Sequence, residues 1–291
     1  MLLANAGVRV PALSRYIFFG IATWVLATGV TRADKLDEVL AAQPAEVQAR
    51  YAARHPRETL DFFGIAPGMK VVEVFPGDGW YTRILAAYLG SQGKLVGADY
   101  AAEMYPKFNF YDAAFLKAKQ TWVSDWPRSA SAWAADDAEI TGFALGSLPQ
   151  TQTGSADAVL MIRALHNLAR FERDGGYMSR ALADIARVLK PGGVVGIVQH
   201  RAPDNADDAW ADGSKGYVKQ AFVVASMQAA GFEYVGASDV NRNPKDRPTT
   251  NDIVWRLPPS FFGVEGEAAR AAMAAIGESD RMTLLFRKPK P

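Results

Sequence analysis

Short apolar runs alternate with longer amphipathic segments along most of the chain beyond residue 64. The runs are rich in valine, leucine and isoleucine, as strands buried on both faces of a parallel sheet are. They lie at 70–74, 94–98, 139–145, 156–162, 193–198, 232–238 and 282–286, the third being only weakly marked. This alternation of strands with helices predicts an α/β fold with a doubly wound, mostly parallel seven-stranded sheet.

The helical segments have recognisable ends. One helix is expected to end near Leu89, and another at the stretch 186–193, where glycines and a proline stand at its C-terminus. Further helices are predicted at 216–231 and 265–276. The last two strands are separated by a long excursion, residues 239–280, instead of a compact crossover helix, and so we expect an antiparallel last strand.

The N-terminal third divides differently. Residues 34–64 predict two or three short helices, broken at 41–45 and at His55-Pro56, which form a helical N-terminal cap on a domain spanning 65–291. Residues 1–33 join a basic start, an uncharged apolar run at 16–30 and a small-residue exit ending at Ala33. This is typical of a secretory signal, and the run is shorter than the roughly 20 residues of a membrane span.

Three interpretations of residues 1–33 stay open: a cleaved signal, an uncleaved N-terminal anchor, or a mis-assigned start or buried helix. The first two predict an exported protein, in a bacterial periplasm after cleavage near Ala33 or anchored in the inner membrane and facing out. Membrane contact is then expected only through an uncleaved N-terminal segment.

Composition limits the partners. The chain has 291 residues, 49% of them hydrophobic, with a formal net charge of +1. Residues 1–33 hold three arginines and no acid, so that the remainder carries −2. This balance offers no basic surface for nucleic acid, and a small-molecule partner is expected. The absence of cysteine excludes disulfides and a thiolate nucleophile.

One turn carries most of the chemical information. Glu73-Val-Phe-Pro-Gly-Asp-Gly79 leads from the first strand into a helix, and Asp99 ends the second strand twenty positions later. Glycines let a backbone approach a ligand closely, and an acid at this distance is placed to accept hydrogen bonds from ribose hydroxyls. The pattern predicts a site for a nucleotide-type ligand.

These residues resemble the class I S-adenosylmethionine-dependent methyltransferases. The resemblance rests on Val71–Gly79, Asp99, Ser155–Leu160 and Leu189–Gly193. The Leu-Lys-Pro-Gly-Gly loop before the fifth strand is typical of this family and not of nicotinamide dehydrogenases. Within the family, the chain is similar to a group of exported predicted methyltransferases that share the Pro-Gly-x-Gly-Trp-Tyr turn and a His-Asn pair after strand four. The resemblance implies a Rossmann-like fold and S-adenosylmethionine as cofactor.

The resemblance also implies roles for the turn. Glu73, with Pro76 and the backbone of Gly77 and Gly79, would hold the amino-acid end of the donor, and Asp99 would hold its ribose. Asp78 would either contact the donor's ammonium or cap the helix that starts at Trp80. Many members carry glycine where this chain has Phe75, whose ring would either narrow the turn or pack beneath the methionine moiety.

Two of the three histidines follow adjacent strands. His166 comes after strand four and His200 ends strand five, and both are expected in one crevice at the carboxyl edge of the sheet. We interpret either histidine as the group that deprotonates or orients an acceptor, with Arg163 or Arg201 holding an anionic group on it. Asn167 belongs to the same polar cluster. A purely structural role for each histidine stays open.

The remaining features shape or compete with this site. The aromatic-rich segment 100–135 is expected to be mostly helical, either as helix-face core or as a wall of the substrate pocket. The loops 201–216 and 239–280 would complete that pocket, and Asp246 or Asp280 would either close over it or form structural salt bridges. A metal site formed by the two histidines and loop acids is the competing role, and we expect no metal to be bound there. The acids concerned are Asp204, Asp207, Asp208 and Asp212.

The sequence thus predicts an S-adenosylmethionine-dependent methyltransferase that acts on a small-molecule acceptor. The alternative is an exported binding or assembly protein that has this fold and no longer uses the donor, because the donor is made in the cytoplasm. A nicotinamide oxidoreductase would require a fuller glycine pattern than 73–79 provides.

Overall fold

The computed structural model describes residues 32–134 and 138–291. Both ranges belong to one structural unit, Arg32–Pro291. The signal or anchor predicted for residues 1–33 lies outside the described residues, apart from its last two positions. Within the described ranges, no helix is both long and apolar enough to cross a membrane.

From residue 32 to the start of the sheet, the chain forms four short helices. They are α1 (Arg32–Ala41), α2 (Ala45–Gln48), α3 (Tyr51–Arg54) and α4 (Pro56–Phe62). The breaks fall at the two proline-containing positions that the sequence indicated, and Pro56 occupies the first turn of α4, where its missing N–H has no intrahelical role. Leu36 and Leu60 are fully buried in the same apolar cluster as Ile84, so that these helices share a core with the sheet.

Seven strands form a single sheet. They are β1 (Lys70–Val74), β2 (Lys94–Asp99), β3 (Glu139–Ala144), β4 (Ala156–Ile162), β5 (Leu189–His200), β6 (Glu233–Ser238) and β7 (Arg281–Arg287). Their order is β3-β2-β1-β4-β5-β7-β6. Only β7 runs against its neighbours, pairing antiparallel with both β5 and β6. The predicted α/β architecture, a Rossmann-like, mostly parallel sheet with an antiparallel last strand, is confirmed.

Helices cover both faces of this sheet. They are α5 (Trp80–Leu89), α6 (Ala113–Ala130), α7 (Leu165–Arg170), α8 (Glu172–Gly175), α9 (Tyr177–Val188), α10 (Gln220–Ala229) and α11 (Glu267–Ile276). Alternate strand residues enter different cores: Val71 packs with α5, whereas Val72 and Val74 pack with the layer that contains Met178 of α9. This is the period-two burial that a sheet covered on both sides requires.

The fifth strand begins earlier than the sequence indicated. Helix α9 ends at Val188, and Leu189 already pairs with Ala156 of β4. The register then jumps to Val194 opposite Ala158, so that the Pro-Gly-Gly stretch forms a bulge within β5. The expectation that its glycines cap the helix is therefore wrong. They pair instead with the chain after β7, where Gly192 N–H donates to the Lys288 carbonyl.

The strand order reverses at β1 and β4. From β1 the chain goes to β2 on one side, and from β4 it goes to β5 on the other. At such a switch point the connections leave in opposite directions and open a crevice at the carboxyl ends of the strands. The residues that follow β1, β4 and β5 therefore meet at this crevice.

Candidate active site

A cavity of about 750 Å³ opens at the carboxyl ends of β1, β4 and β5. Cavities of this size enclose drug-sized ligands and cofactors. The turn after β1 forms one wall, through Glu73 and residues 75–78. The opposite wall holds Arg163, His166, Asn167 and His200. The two groups that the sequence singled out thus face the same space.

Glu73 lies at the floor of the first wall. It is buried, and Thr82 Oγ1 donates a hydrogen bond to its Oε2 at 2.7 Å. Burial raises the pKa of Glu73 to about 8, against the opposing effect of the Thr82 hydrogen bond. The side chain is therefore mostly protonated at neutral pH, and a cation bound beside it would favour its ionised form.

Asp78 and Gly79, at the end of the turn, have different roles. Asp78 is exposed and lines the cavity, and helix α5 has Gly79 at its N-cap with no side-chain capping hydrogen bond. The capping role considered for Asp78 is therefore not realised. Gly79 does not line the cavity. It has φ +77°, and a Cβ there would stand 2.5 Å from the Trp133 ring, so that the packing of Trp133 requires glycine.

Asp99 is occupied by the protein's own groups. Its Oδ1 accepts hydrogen bonds from Tyr105 Oη at 2.6 Å and from the Tyr100 backbone N–H at 2.9 Å. Its Oδ2 accepts from Lys119 Nζ at 2.7 Å. The carboxylate is buried and is not among the residues that line the cavity. The ribose contact implied for Asp99 is not open in this arrangement.

The turn after β1 therefore fits the amino-acid end of S-adenosylmethionine without rearrangement. The cavity-lining Glu73, Gly77 and Asp78 offer carboxyl and backbone groups to an amino-acid end that carries an ammonium. At the ribose end, Tyr105 and Lys119 both bind Asp99, and a ribose contact would require at least that Lys119 leave the carboxylate. Lys119 is a side chain of α6 with 14% of its surface exposed, and its ammonium lies 4.5 Å from the centroid of the Tyr105 ring.

His166 is held in a defined tautomer. Gln199 Nε2 donates to the Gly216 carbonyl at 3.0 Å, which directs Gln199 Oε1 towards the His166 ring. His166 Nδ1 and its backbone N–H both lie 3.3 Å from this Oε1. An amide oxygen only accepts, so that Nδ1 carries the proton and Nε2 keeps its lone pair. Nε2 has no hydrogen-bond partner among the described residues.

The second histidine stands beside the first. The ring centroids of His166 and His200 are 5.6 Å apart, and His200 Nδ1 lies 2.6 Å from Ser279 Oγ. Burial lowers the pKa of His166 to about 4 and that of His200 well below its ordinary value, so that both rings are neutral at pH 7. The pair faces the cavity as the sequence indicated.

The structure separates the two candidate arginines. Arg201 forms a bidentate ion pair with Asp280, at 2.9 and 3.0 Å, and does not line the cavity. Arg163 does line it. Asn167 Nδ2 donates to Tyr100 Oη at 3.3 Å, whereas its buried Oδ1 has no partner.

Asp246 and Asp208 have structural partners. Asp246 binds Arg256 and Tyr217, at 2.9 Å in each case, and Asp208 pairs with Lys219. Asp246 and Asp280 thus form the salt bridges that were one of their two expected roles. In the described part of the chain, no three or more histidines and acids are grouped as metal ligands.

The aromatic segment serves both of its expected purposes. Tyr105 and Trp126 are buried in the core, whereas Phe108, Phe110 and Tyr111 line the cavity. The loops 201–216 and 239–280 also line the cavity, as expected, but the sequence did not single out the individual residues that do so. These are Ser214, Lys215, Ile253, Trp255, Ser260 and Phe262. Aromatic residues within a polar, proline-rich loop were the only signal for Trp255 and Phe262.

The strand order, the turn after β1 and the cavity at the switch point define a nucleotide-type α/β domain. Residues 72–197 match the family model described as "Methyltransferase domain". Over these residues, which are less than half of the chain, the protein is similar to methyltransferase domains, and class I membership with S-adenosylmethionine as cofactor stays a prediction. Its membership of an exported group stays a prediction.

One curated relative is the 2-phytyl-1,4-naphtoquinone methyltransferase of Synechocystis sp., with 28% identity over 143 residues. This match covers 49% of the present chain, which spans about half the length of that relative, 50%.

Two solved structures share the fold at low identity. The [4+2]-cyclase SpnF has 19% identity and a TM-score of 0.50, over 82% of this chain and 81% of that one. A chain of the complex between the Haloferax volcanii Trm112 methyltransferase activator and a methyltransferase has 16% identity and a TM-score of 0.50, over 87% and 97%.

Proposed function

We propose that the protein transfers a methyl group from S-adenosylmethionine to a small-molecule acceptor. The observation that carries this proposal is the single cavity that joins the Glu73–Asp78 turn to His166 and Arg163. A donor held at the turn and an acceptor held beside the histidines share this space, and alignment of the two is most of what such a reaction requires.

S-adenosylmethionine supplies an activated methyl group on a sulfonium, which is displaced in line with return of the bonding electrons to sulfur. Glu73 and Asp78 would bind the donor's ammonium, and the Gly77 backbone would approach its carboxylate. His166 Nε2 would accept the proton that the acceptor's nucleophilic atom loses. Gln199 holds His166 in the required tautomer throughout, through the Nδ1 contact at 3.3 Å.

The acceptor side favours a planar molecule with an apolar body. Phe108, Tyr111 and Trp255 line the cavity, and aromatic side chains stack on flat rings in offset or edge-on geometry. The curated relative is named for a naphthoquinone acceptor, which has this shape. Both points support a small aromatic acceptor for the present protein.

Calorimetry with S-adenosylmethionine and with S-adenosylhomocysteine tests the proposal. Binding of either compound tighter than about 100 μM supports it. Incorporation of a radiolabelled methyl group into small molecules of a cell extract, lost on replacement of His166, then identifies the reaction. Absence of heat with both compounds contradicts the proposal.

One observation favours a second candidate function. Lys119 and Tyr105 both bind the Asp99 carboxylate, so that the chain's own side chains close the implied ribose contact. This is what an exported binding or assembly protein that no longer uses the donor would show. Such a protein would bind an aromatic ligand in the cavity and give no heat with the donor.

Export is part of the same proposal and rests on the basic and apolar pattern of residues 1–33. The experiment is fractionation of cells that produce the full chain, with N-terminal sequencing of the product. A periplasmic product that begins near residue 34 supports a cleaved signal, and a full-length cytoplasmic product contradicts export.

A further inference from the structure

Among the described residues, no carboxylate lies within salt-bridge distance of the Arg163 guanidinium. This guanidinium lines the main cavity and also a smaller one of about 60 Å³, bounded by Pro258 and Ser279. It makes no hydrogen bond or ion pair with any residue in the described ranges, although it is only partly accessible. Arginine is rarely withdrawn from solvent without a partner. Glu278 lines the smaller cavity too, but other arginines share it, so that an anion in the main cavity would give Arg163 a partner of its own.

The surroundings of Arg163 favour such an anion. Glu278 is the shared partner of three other arginines: Arg50 and Arg54 donate to its Oε1, and Arg281 donates to its Oε2 at 2.9 Å. Two nitrogens of this cluster, Arg54 Nη1 and Arg281 Nε, are buried without partners. Four arginines thus stand near a single buried carboxylate, and the region has an excess of positive charge.

The electrostatic effects agree with this geometry. Burial opposes ionisation of Glu278, but Arg281, Arg54 and Arg50 overcome it and lower its pKa to about 2. Burial lowers the pKa of Arg163 and Arg281 lowers it further, while Glu278 and Asp78 act in the opposite direction. An anion placed against Arg163 would relieve this repulsion.

Two more cations face the same cavity. Lys215 and Arg170 line it, and neither forms an ion pair with a described residue. The Arg170 guanidinium lies 4.7 Å from the centroid of the Phe171 ring. The acids of the cavity, Glu73 and Asp78, belong to the opposite wall. The cavity is therefore polarised, with acids at the donor turn and bases on the acceptor side.

Aromatic rings stand exposed on the same cavity. Phe110 and Phe262 both line it and have 68% and 67% of their surfaces exposed. Apolar side chains left open beside a concave site indicate a surface that a ligand or partner covers. Together with the unpaired Arg163, they describe a ligand that has a flat apolar body and one anionic group.

We propose that the acceptor is a planar aromatic carboxylate whose anionic group is bound by Arg163 and whose ring lies against Trp255 and the exposed phenylalanines. The term acceptor rests on the proposed function, whereas the anion site does not. Arg163 would donate two hydrogen bonds to the carboxylate in a bidentate pair, and Lys215 and Arg170 would attract it into the cavity.

The test uses two probes of the same shape. 2-Naphthoate and its uncharged isostere 2-naphthamide are titrated by calorimetry into the full-length protein. We expect the wild type to bind the naphthoate at least about tenfold more tightly, and Arg163→Gln to remove this difference while leaving naphthamide affinity unchanged. Arg163→Lys keeps the charge and should retain part of the preference.

Arg128→Gln is the matched control, because Arg128 is 81% exposed and, within residues 32–134 and 138–291, its one ion pair is with Asp125. It removes the same charge and should preserve the preference. Equal affinities of the wild type for the two probes, no binding of naphthoate, or a preference that persists in Arg163→Gln would overturn the proposal. The wild-type comparison decides even if a variant fails to fold.

The two proposals fail in different ways. A naphthoate preference in a protein that gives no heat with S-adenosylmethionine would retain the anion site and refute methyl transfer. Binding of S-adenosylmethionine by a protein that does not distinguish the two naphthyl probes would refute the anion site and leave the proposed methyl transfer standing.

Discussion

Phe75 and Arg163 occupy equivalent positions at the ends of two neighbouring parallel strands. Each is the first residue after its strand, and each has a left-handed backbone, with φ of +53° and +58°. The Phe75 N–H donates to the Ala98 carbonyl and the Arg163 N–H to the Val198 carbonyl, at 2.7 Å in both cases. Both side chains line the cavity.

This conformation is unfavourable for residues other than glycine, by about 1–3 kcal/mol. It persists at both exits because the hydrogen bonds to the next strand hold the backbone. The turns after β1 and β4 thus direct an aromatic ring and a guanidinium into one cavity. Backbone strain of this kind is common at ligand sites.

Replacement of Phe75 by glycine tests what the ring does. The Phe75 ring stacks on Tyr100, with centroids 4.5 Å apart. If it narrows the turn, Phe75→Gly should raise the affinity for S-adenosylhomocysteine several-fold, as measured by calorimetry, because the ligand gains space.

Phe75→Ala is the matched variant, since it removes the ring and keeps the strain. We expect the glycine variant to be more stable than the alanine variant by about 1 kcal/mol in denaturant unfolding. Loss of affinity in both variants would instead mean that the ring packs beneath the methionine moiety.

A second prediction concerns Lys119. Lys119→Met removes the ammonium from Asp99 and keeps the length of the side chain. We expect the affinity for adenosine to rise by about tenfold, because the ligand no longer has to displace a salt bridge. The variant should also lose stability, since a buried carboxylate without its partner is costly.

Lys117→Met is the control, because Lys117 is exposed on the same helix. It should change neither adenosine affinity nor stability. If adenosine binds Lys119→Met no better than the wild type, the ribose does not reach Asp99, and the function without a donor is favoured.

The strands could be predicted well because burial on both faces leaves apolar runs that one sequence shows directly. The β4 bounds 156–162 agree with the structure, and β1 agrees likewise. The Pro-Gly-Gly bulge could not be predicted, because local residues there favour a turn. Its conformation depends on pairing with Ala156 and with Lys288.

The site could be predicted in its location but not in its connections. Strand ends bring His166 and His200 together in any fold of this order. Arg163 and Arg201 look alike in the sequence, since each follows a strand. Only the approach of Asp280, 79 residues further along, distinguishes them. The contact between Lys119 and Asp99 likewise depends on how α6 packs.

Glu73 gives a prediction about protons. With a pKa of about 8 it is mostly protonated at pH 7, and an ammonium bound beside it should ionise it. Binding of S-adenosylmethionine at pH 7 should therefore release up to about 0.9 proton per site. Calorimetry in buffers of different ionisation enthalpy measures this number, and Glu73→Gln should abolish it. Release that persists in Glu73→Gln would assign the proton to another group.

The same pKa affects stability. Because folding raises the pKa of Glu73 above its ordinary value of 4.5, its contribution to stability is complete below about pH 4.5 and is lost as the pH rises towards 8. Glu73→Gln should remove this loss. The free energy of unfolding of Glu73→Gln minus that of the wild type should therefore be larger at pH 8 than at pH 5, so that the variant is relatively more stable at pH 8.

His166 should have the opposite pH dependence. Its pKa falls from an ordinary 6.5 to about 4 on folding, so that its contribution is present above pH 6.5 and is lost as the pH falls towards 4. His166→Asn cannot be protonated, yet its amide N–H can still donate to Gln199. We expect the decline in unfolding free energy between pH 6.5 and 4 to be smaller in this variant, by up to about 3 kcal/mol.

The rate of methyl transfer in two variants distinguishes the roles of Nδ1 and Nε2 of His166. His166→Asn lacks Nε2 and should lower the rate of methyl transfer by about 10²–10⁴-fold with the donor's affinity unchanged, if Nε2 accepts the acceptor's proton. His166→Gln places an amide near the Nε2 position and loses the Gln199 contact at 3.3 Å, so that it should be equally inactive and less stable at pH 7. Full activity in His166→Asn would reduce His166 to a structural role and leave His200, whose Nδ1 faces Ser279, as the remaining histidine base.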